Sequence, residues 1–156
     1  MNSSSLPLPA TWLGWAEEAP ITLELPFFLS PCPQAGFPSP AADYVEEAID
    51  LNALIVQNPP ANFFVRVQGE SLVGEHILPN DIASVDRSVE PRVGKIVVAV
   101  FQGDIYIKKL CRIGGRMALE SCPADGGLFG YPTYFLDEDE NAEVWGVVNG
   151  VIRSAP

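Results

Sequence analysis

The first 65 residues contain no lysine and no arginine. All nine basic side chains come later, at Arg66, Arg87, Arg92, Lys95, Lys108, Lys109, Arg112, Arg116 and Arg153, and the formal net charge of the 156-residue chain is -11. That balance argues against a broad phosphate-binding surface, because proteins hold DNA chiefly by neutralising its phosphates. Work near nucleic acid is expected to pass through another protein, with no sequence-specific DNA contact. Histidine is nearly missing too: His76 stands alone. Cysteine stops at three, Cys32, Cys111 and Cys122, with no Cys-x-x-Cys pair. Neither a disulfide framework nor a metal site is expected from such a set, and no cofactor is implied. No apolar run approaches the roughly 20 residues that cross a bilayer. The start of the chain lacks the positive region of a secretory signal. These absences together predict a soluble cytoplasmic protein with reduced thiols and no membrane partner.

What is present is enough apolar material, 47% of residues, to build a core. One domain with an arm fits the length. Residues 1–39 are predicted as that arm, because prolines 7, 9, 20, 26, 31, 33 and 38 remove backbone donors and favour extended geometry. Trp12, Leu13 and Trp15 are its candidate docking side chains. No helix-turn-helix can be read in it, so a DNA-binding headpiece is not expected. Ser39-Pro40 reads as a helix start, and Tyr44, Ala48 and Leu51 recur near helical spacing. The predicted helix runs to Ile55 and stops at Asn58-Pro59-Pro60.

Beyond the helix the period shifts to strands. They are expected at 62–68, 82–86, 95–101, 104–110, 116–121 and 142–152, with turns at Gln102-Gly103 and Gly114-Gly115. The acidic run "DEDE" (137–140) reads as a solvated loop. The predicted fold is mostly β, with curled antiparallel sheets over 40–156, preceded by the extended arm and one short helix.

Chemistry is sought first at "GES", 69–71, directly after a strand. Glycine permits a sharp turn that lifts the Ser71 hydroxyl, and backbone N–H groups there can meet an oxyanion. The bland alternative is an ordinary turn. A nucleophilic serine needs a base, and His76 reads as a surface residue. Lysine is the other choice, since burial penalises the ammonium and lowers its pKa. Lys108 and Lys109 lie in the apolar strand "DIYIKKL". Alternation points them to opposite faces without saying which is buried. As edge-strand lysines they would merely discourage sheet pairing.

The segments "AGFPSPAADYVEEAIDLNALIVQNP", "FFVRVQGESL", "DIASVD", "GKIVVAV", "IKKL" and "VWGVV" resemble UmuD-type proteins of the bacterial SOS response, within the LexA-like self-cleaving serine peptidases. The resemblance covers about residues 34–152. It implies the LexA/UmuD C-terminal-domain fold, Ser71 as nucleophile and Lys108 as general base. The cleaved bond would fall at Ala35-Gly36, in cis, with a RecA–single-stranded DNA filament as co-protease. The shortened product would form a homodimer and serve a UmuC-type Y-family polymerase in translesion synthesis.

Two departures stand out. Leu72 replaces a common methionine, and Pro79-Asn80-Asp81 replaces an Asp-Gly-Asp-like turn. Cys32, three residues before Ala35, is read as incidental. Two other functions remain in view. One is a non-catalytic dimeric module that regulates a polymerase; the other is a LexA-type repressor, disfavoured by the charge and the missing headpiece.

Overall fold

A computed structural model describes residues 10–15, 24–28, 45–127 and 130–156, with backbone alone for 10–15, 24–28 and 45–49. The mostly β, antiparallel architecture expected from the sequence is present. The strands are β1 (Ala10–Trp15), β2 (Glu24–Phe28), β3 (Val45–Asp50), β4 (Asn62–Val67), β5 (Ile82–Asp86), β6 (Ile96–Phe101), β7 (Asp104–Ile113), β8 (Arg116–Glu120), β9 (Tyr134–Phe135) and β10 (Glu143–Ile152). Eight of them form one sheet in the order β1-β4-β5-β10-β6-β7-β8-β9, and β2 pairs with β3 separately. The last strand therefore sits in the middle, joining two halves of the sheet.

The apolar run of β6 shows why the sheet holds. Val97, Val98 and Ala99 are all fully buried, so both faces of this strand are covered. Val98 packs with Phe63, Val65, Val67, Leu72, Ile77 and Ile107. Val97 and Ala99 pack on the other face with Leu110, Leu119 and Val147. β10 bends between these cores through register shifts at Val144/Gly146 and Val148/Gly150. Gly146 is required there, because a Cβ would lie 2.9 Å from the Asp86 carbonyl oxygen.

The two glycine turns behave as expected. Gln102 and Gly103 take φ of 50° and 82°, and Gly114 and Gly115 take 57° and 81°. These left-handed pairs match the twist of tight hairpins. They set the registers Val97↔Lys108 across β6–β7 and Lys109↔Glu120 across β7–β8.

Two expectations need correction. The helix predicted from Pro40 to Ile55 is a strand over Val45–Asp50, followed by a five-residue helix, α1 (Leu51–Ile55). Ser39 and Pro40 lie outside the described residues. The helical spacing of Val45, Ala48 and Ile49 also suits a strand, and pairing with β2 (Leu25↔Ile49) decides it. The cap is Asp50, whose carboxylate accepts from Asn52 N–H at 2.9 Å. Secondly, "DEDE" is not simply solvated: Asp137 and Glu138 both pair with Arg116, and Asp139 accepts from Gln102 N–H at 2.7 Å. Within the segment expected as an arm, 10–15 pairs with β4 as β1 and 24–28 pairs with β3 as β2.

Candidate active site

The candidate nucleophile sits where β4 gives way to a tight loop. Gly69 takes φ of 77°, a left-handed turn open to glycine. Ser71 follows it, largely buried, and Leu72 then plunges into the core with 1% of its surface exposed. Leu72 lies there in one cluster with Phe63, Val65, Val67 and Ile77. A short 3-10 turn over Val73–Glu75 follows, ended by His76 in the left-handed conformation and exposed to solvent, as the sequence suggested.

This loop is clamped to the chain just beyond β8. Cys122 N–H donates to the Ser71 carbonyl at 2.6 Å, and Gly74 N–H donates to the Cys122 carbonyl at 2.7 Å. The approach is so close that a Cβ on Gly74 would lie 2.7 Å from the Pro123 oxygen. Only glycine fits. On its far side the loop is tied down by Asp81, whose buried carboxylate holds Leu78 N–H at 2.8 Å and the Arg153 guanidinium at 2.6 Å. Asn80 takes φ of 71°. Asparagine tolerates that conformation better than most residues.

The two lysines part company. Lys108 lies opposite Val97 and is only 5% exposed; its Nζ donates to Ser121 Oγ at 2.8 Å. Burial pushes its pKa down to about 8, and negative charge on Cys122, where that thiol ionises, opposes the shift. About a tenth of such a lysine is neutral at pH 7, against well under a thousandth for an unperturbed one. Lys109 points to the other face and binds Glu75 at 2.6 Å. That hydrogen bond holds Lys109 charged and its pKa up. The ambiguity in "KK" is thus resolved physically: one lysine is desolvated, the other is ion-paired.

Ser71 and Lys108 meet at one dipeptide, Ser121-Cys122, the serine by its backbone and the lysine by its side chain. The hydrogen bond of Lys108 runs to Ser121 rather than to Ser71. Two open depressions flank the loop. One, of about 410 Å³, is lined by Gly74, Glu120, Ser121 and Cys122; the other, of about 400 Å³, by Glu70, Val73, Asp125 and Tyr131. Ala35, Gly36 and Cys32 lie outside the described residues. Cys111 and Cys122 are free thiols whose pKa values burial raises. Among the described residues no cluster of His, Cys, Asp and Glu could hold a metal, and no helix is long and apolar enough to cross a membrane.

Sequence reasoning missed Ser121, Gly74 and Glu75. Ser121 was within reach of it: a two-residue turn at Gly114-Gly115 pairs Lys109 with Glu120, which brings Ser121, one residue past β8, toward Lys108. Gly74 and Glu75 carried no such signal, because their partners are far away in sequence.

The comparisons agree with this architecture. A family profile described as Peptidase S24-like matches residues 26–149. The chain is 39% identical to Protein SamA of Salmonella typhimurium, across 88% of its length and 91% of that relative. It is 38% identical to Protein ImpA of Escherichia coli, covering 82% and 83% of the two chains. With Protein MucA of Escherichia coli the identity is 37%, covering 85% and 86%. With most of its length matched in each case, the chain belongs to the Peptidase S24-like family, in keeping with its resemblance to UmuD-type proteins.

Proposed function

We propose that the chain is a self-cleaving SOS-response protein that uses Ser71 as nucleophile and Lys108 as general base to cut its own Ala35-Gly36 bond. The observation that carries this reading is the buried Lys108, whose ammonium is disfavoured by burial beside the chain that holds the Ser71 loop. Neutral Lys108 takes the Ser71 proton as the oxygen attacks the Ala35 carbonyl carbon. Backbone N–H groups at the 70–71 turn meet the oxyanion. The tetrahedral intermediate collapses, the C–N bond breaks, and the lysinium gives its proton to the Gly36 amine. Water, deprotonated by Lys108, then attacks the acyl ester and frees Ser71.

The residues 34–40, "QAGFPSP", favour the extended geometry that a protease strand site requires. A RecA–single-stranded DNA filament would stimulate the cut. The product, 36–156, would act in the cytoplasm as a homodimeric accessory subunit of a UmuC-type Y-family translesion polymerase.

The test is incubation of the purified chain with RecA, single-stranded DNA and a nucleotide, or alone at about pH 10, where Lys108, its pKa lowered to about 8, is almost wholly neutral. A fragment beginning at Gly36 is expected, absent from Ser71→Ala and Lys108→Ala. Equal cleavage by Ser71→Ala contradicts the reading. One observation favours a second reading, an uncleaved dimeric module that regulates a polymerase: Lys108 is bonded to Ser121 instead of Ser71. Normal mutagenesis in a Ser71→Ala strain would select it.

A further inference from the structure

We propose that Ser121 is a positioning residue for the general base, accepting one N–H of Lys108 so that the amine's lone pair is directed at the Ser71 hydroxyl. This rests on reading Lys108 as base and Ser71 as nucleophile. A neutral lysine amine has two N–H bonds and one lone pair, carried on a four-carbon stem with many rotamers. Unanchored, it points its lone pair in many directions, and most are useless. One N–H fixed at 2.8 Å removes most of that freedom. The anchor is itself well held: Ser121 is only 3% exposed, and Lys108 only 5%, so bulk water competes poorly for either group.

Its place in the chain gives Ser121 a second property. The next residue, Cys122, exchanges backbone hydrogen bonds with Ser71 and Gly74 at 2.6 and 2.7 Å. A single dipeptide therefore holds the base by a side chain and the nucleophile's loop by its backbone. Movement of one half of the site relative to the other is restrained through two adjacent residues.

The surroundings of Lys108 contain few competing charges. β6 offers the apolar Val97 opposite it. From the segment after β8 come the Ser121 hydroxyl and the Cys122 thiol. Lys109 and its partner Glu75 are engaged with each other on the opposite face, where Glu120 also lies opposite Lys109. Among the described residues, Ser121 is thus placed to hold the amine directly.

The experiment is the pH–rate profile of self-cleavage in the full chain, from about pH 6 to about pH 11, a range that spans buried and free lysine. Wild type is compared with Ser121→Ala, Ser121→Thr, Lys108→Ala and Ser71→Ala. Ser121→Ala is expected to lower the plateau rate by about 10- to 100-fold. Its midpoint should also move to lower pH, because the ammonium loses an acceptor. Ser121→Thr, which keeps the hydroxyl, should restore most of the rate. A wild-type profile for Ser121→Ala beside an inert Lys108→Ala overturns the proposal and leaves the dyad standing. Equal slowing in the Ala and Thr variants overturns it as well, since packing alone then explains the loss. Wild-type cleavage by Lys108→Ala sinks the base reading itself. An active Ser71→Ala beside an inert Ser121→Ala would make Ser121 the nucleophile, overturning both. A readout independent of cleavage is the Lys108 Nζ titration followed by NMR in the Ser71→Ala chain. Adding Ser121→Ala should shift its midpoint down, and an unmoved midpoint contradicts the proposal.

Discussion

Lys108 lowers the stability of the fold that holds it. Its folded pKa of about 8 lies below the unfolded value, so the unfolded chain binds the extra proton more readily. Stability contributed by this group is therefore smallest at neutral pH and rises as pH climbs from about 8 to about 10.4. The penalty at neutral pH is on the order of 3 kcal/mol, by the usual conversion of pKa shift to free energy. Replacing Lys108 with methionine removes that cost but leaves the Ser121 hydroxyl without its donor. Lys108→Met is expected to unfold at higher urea concentration, by about 1–2 kcal/mol net, while losing self-cleavage. Unchanged or lower stability in urea titration would contradict the assigned desolvation. At this scale the turn that carries Ser71 was legible, because a glycine just past a strand is a local pattern and Gly69 does take a left-handed conformation; the serine's proposed role came from the resemblance. The choice between Lys108 and Lys109 was not legible, because alternation separates their faces and burial is decided by distant strands.

At the scale of elements, the strands from β4 to β8 and β10 were readable from alternation and from two left-handed turns. β3 was not. "VEEAID" carries apolar residues at spacings that suit a helix and a strand alike, and only its pairing with β2 resolves them. The central position of β10 was equally invisible, since long-range pairing leaves no local mark. The β1–β4 ladder has a consequence for the proposed cleavage. β1 and β2 precede Ala35-Gly36, whereas their partners β4 and β3 follow it. After the cut, residues 1–35 would keep the backbone pairing of β1 with β4 and of β2 with β3. The fragment is expected to co-elute with residues 36–156 in native size-exclusion chromatography and to separate in denaturant. Immediate separation under native conditions would contradict the ladder.

The Asp81–Arg153 pair gives a second prediction at this scale, joining the end of β10 to the loop before β5. The Arg153 hydrogen bond holds the Asp81 pKa below its ordinary value, so the pair stabilises the fold at neutral pH. That contribution fades as pH falls below about 3.9 toward the folded value. In Arg153→Ala the buried carboxylate loses its cation, and its pKa should rise. Acid unfolding followed by circular dichroism is expected at a pH higher by about one unit. An unchanged acid midpoint would show that the pair contributes little.

Over the whole molecule, cations are scarce, and most of those present are already used. Lys108, Lys109, Arg116 and Arg153 are all engaged with partners in the chain's own fold. Arg92 pairs with Glu90 at the surface. On a molecule of net charge -11 this leaves little for phosphates. The central claim is that the molecule carries both protease and substrate, and intact-mass measurement tests it most directly. The chain recovered from DNA-damaged cells should show a species corresponding to residues 36–156, and the Ser71→Ala chain should show only the full-length mass. Full-length mass alone in both, or the same shortened species in both, would contradict the account.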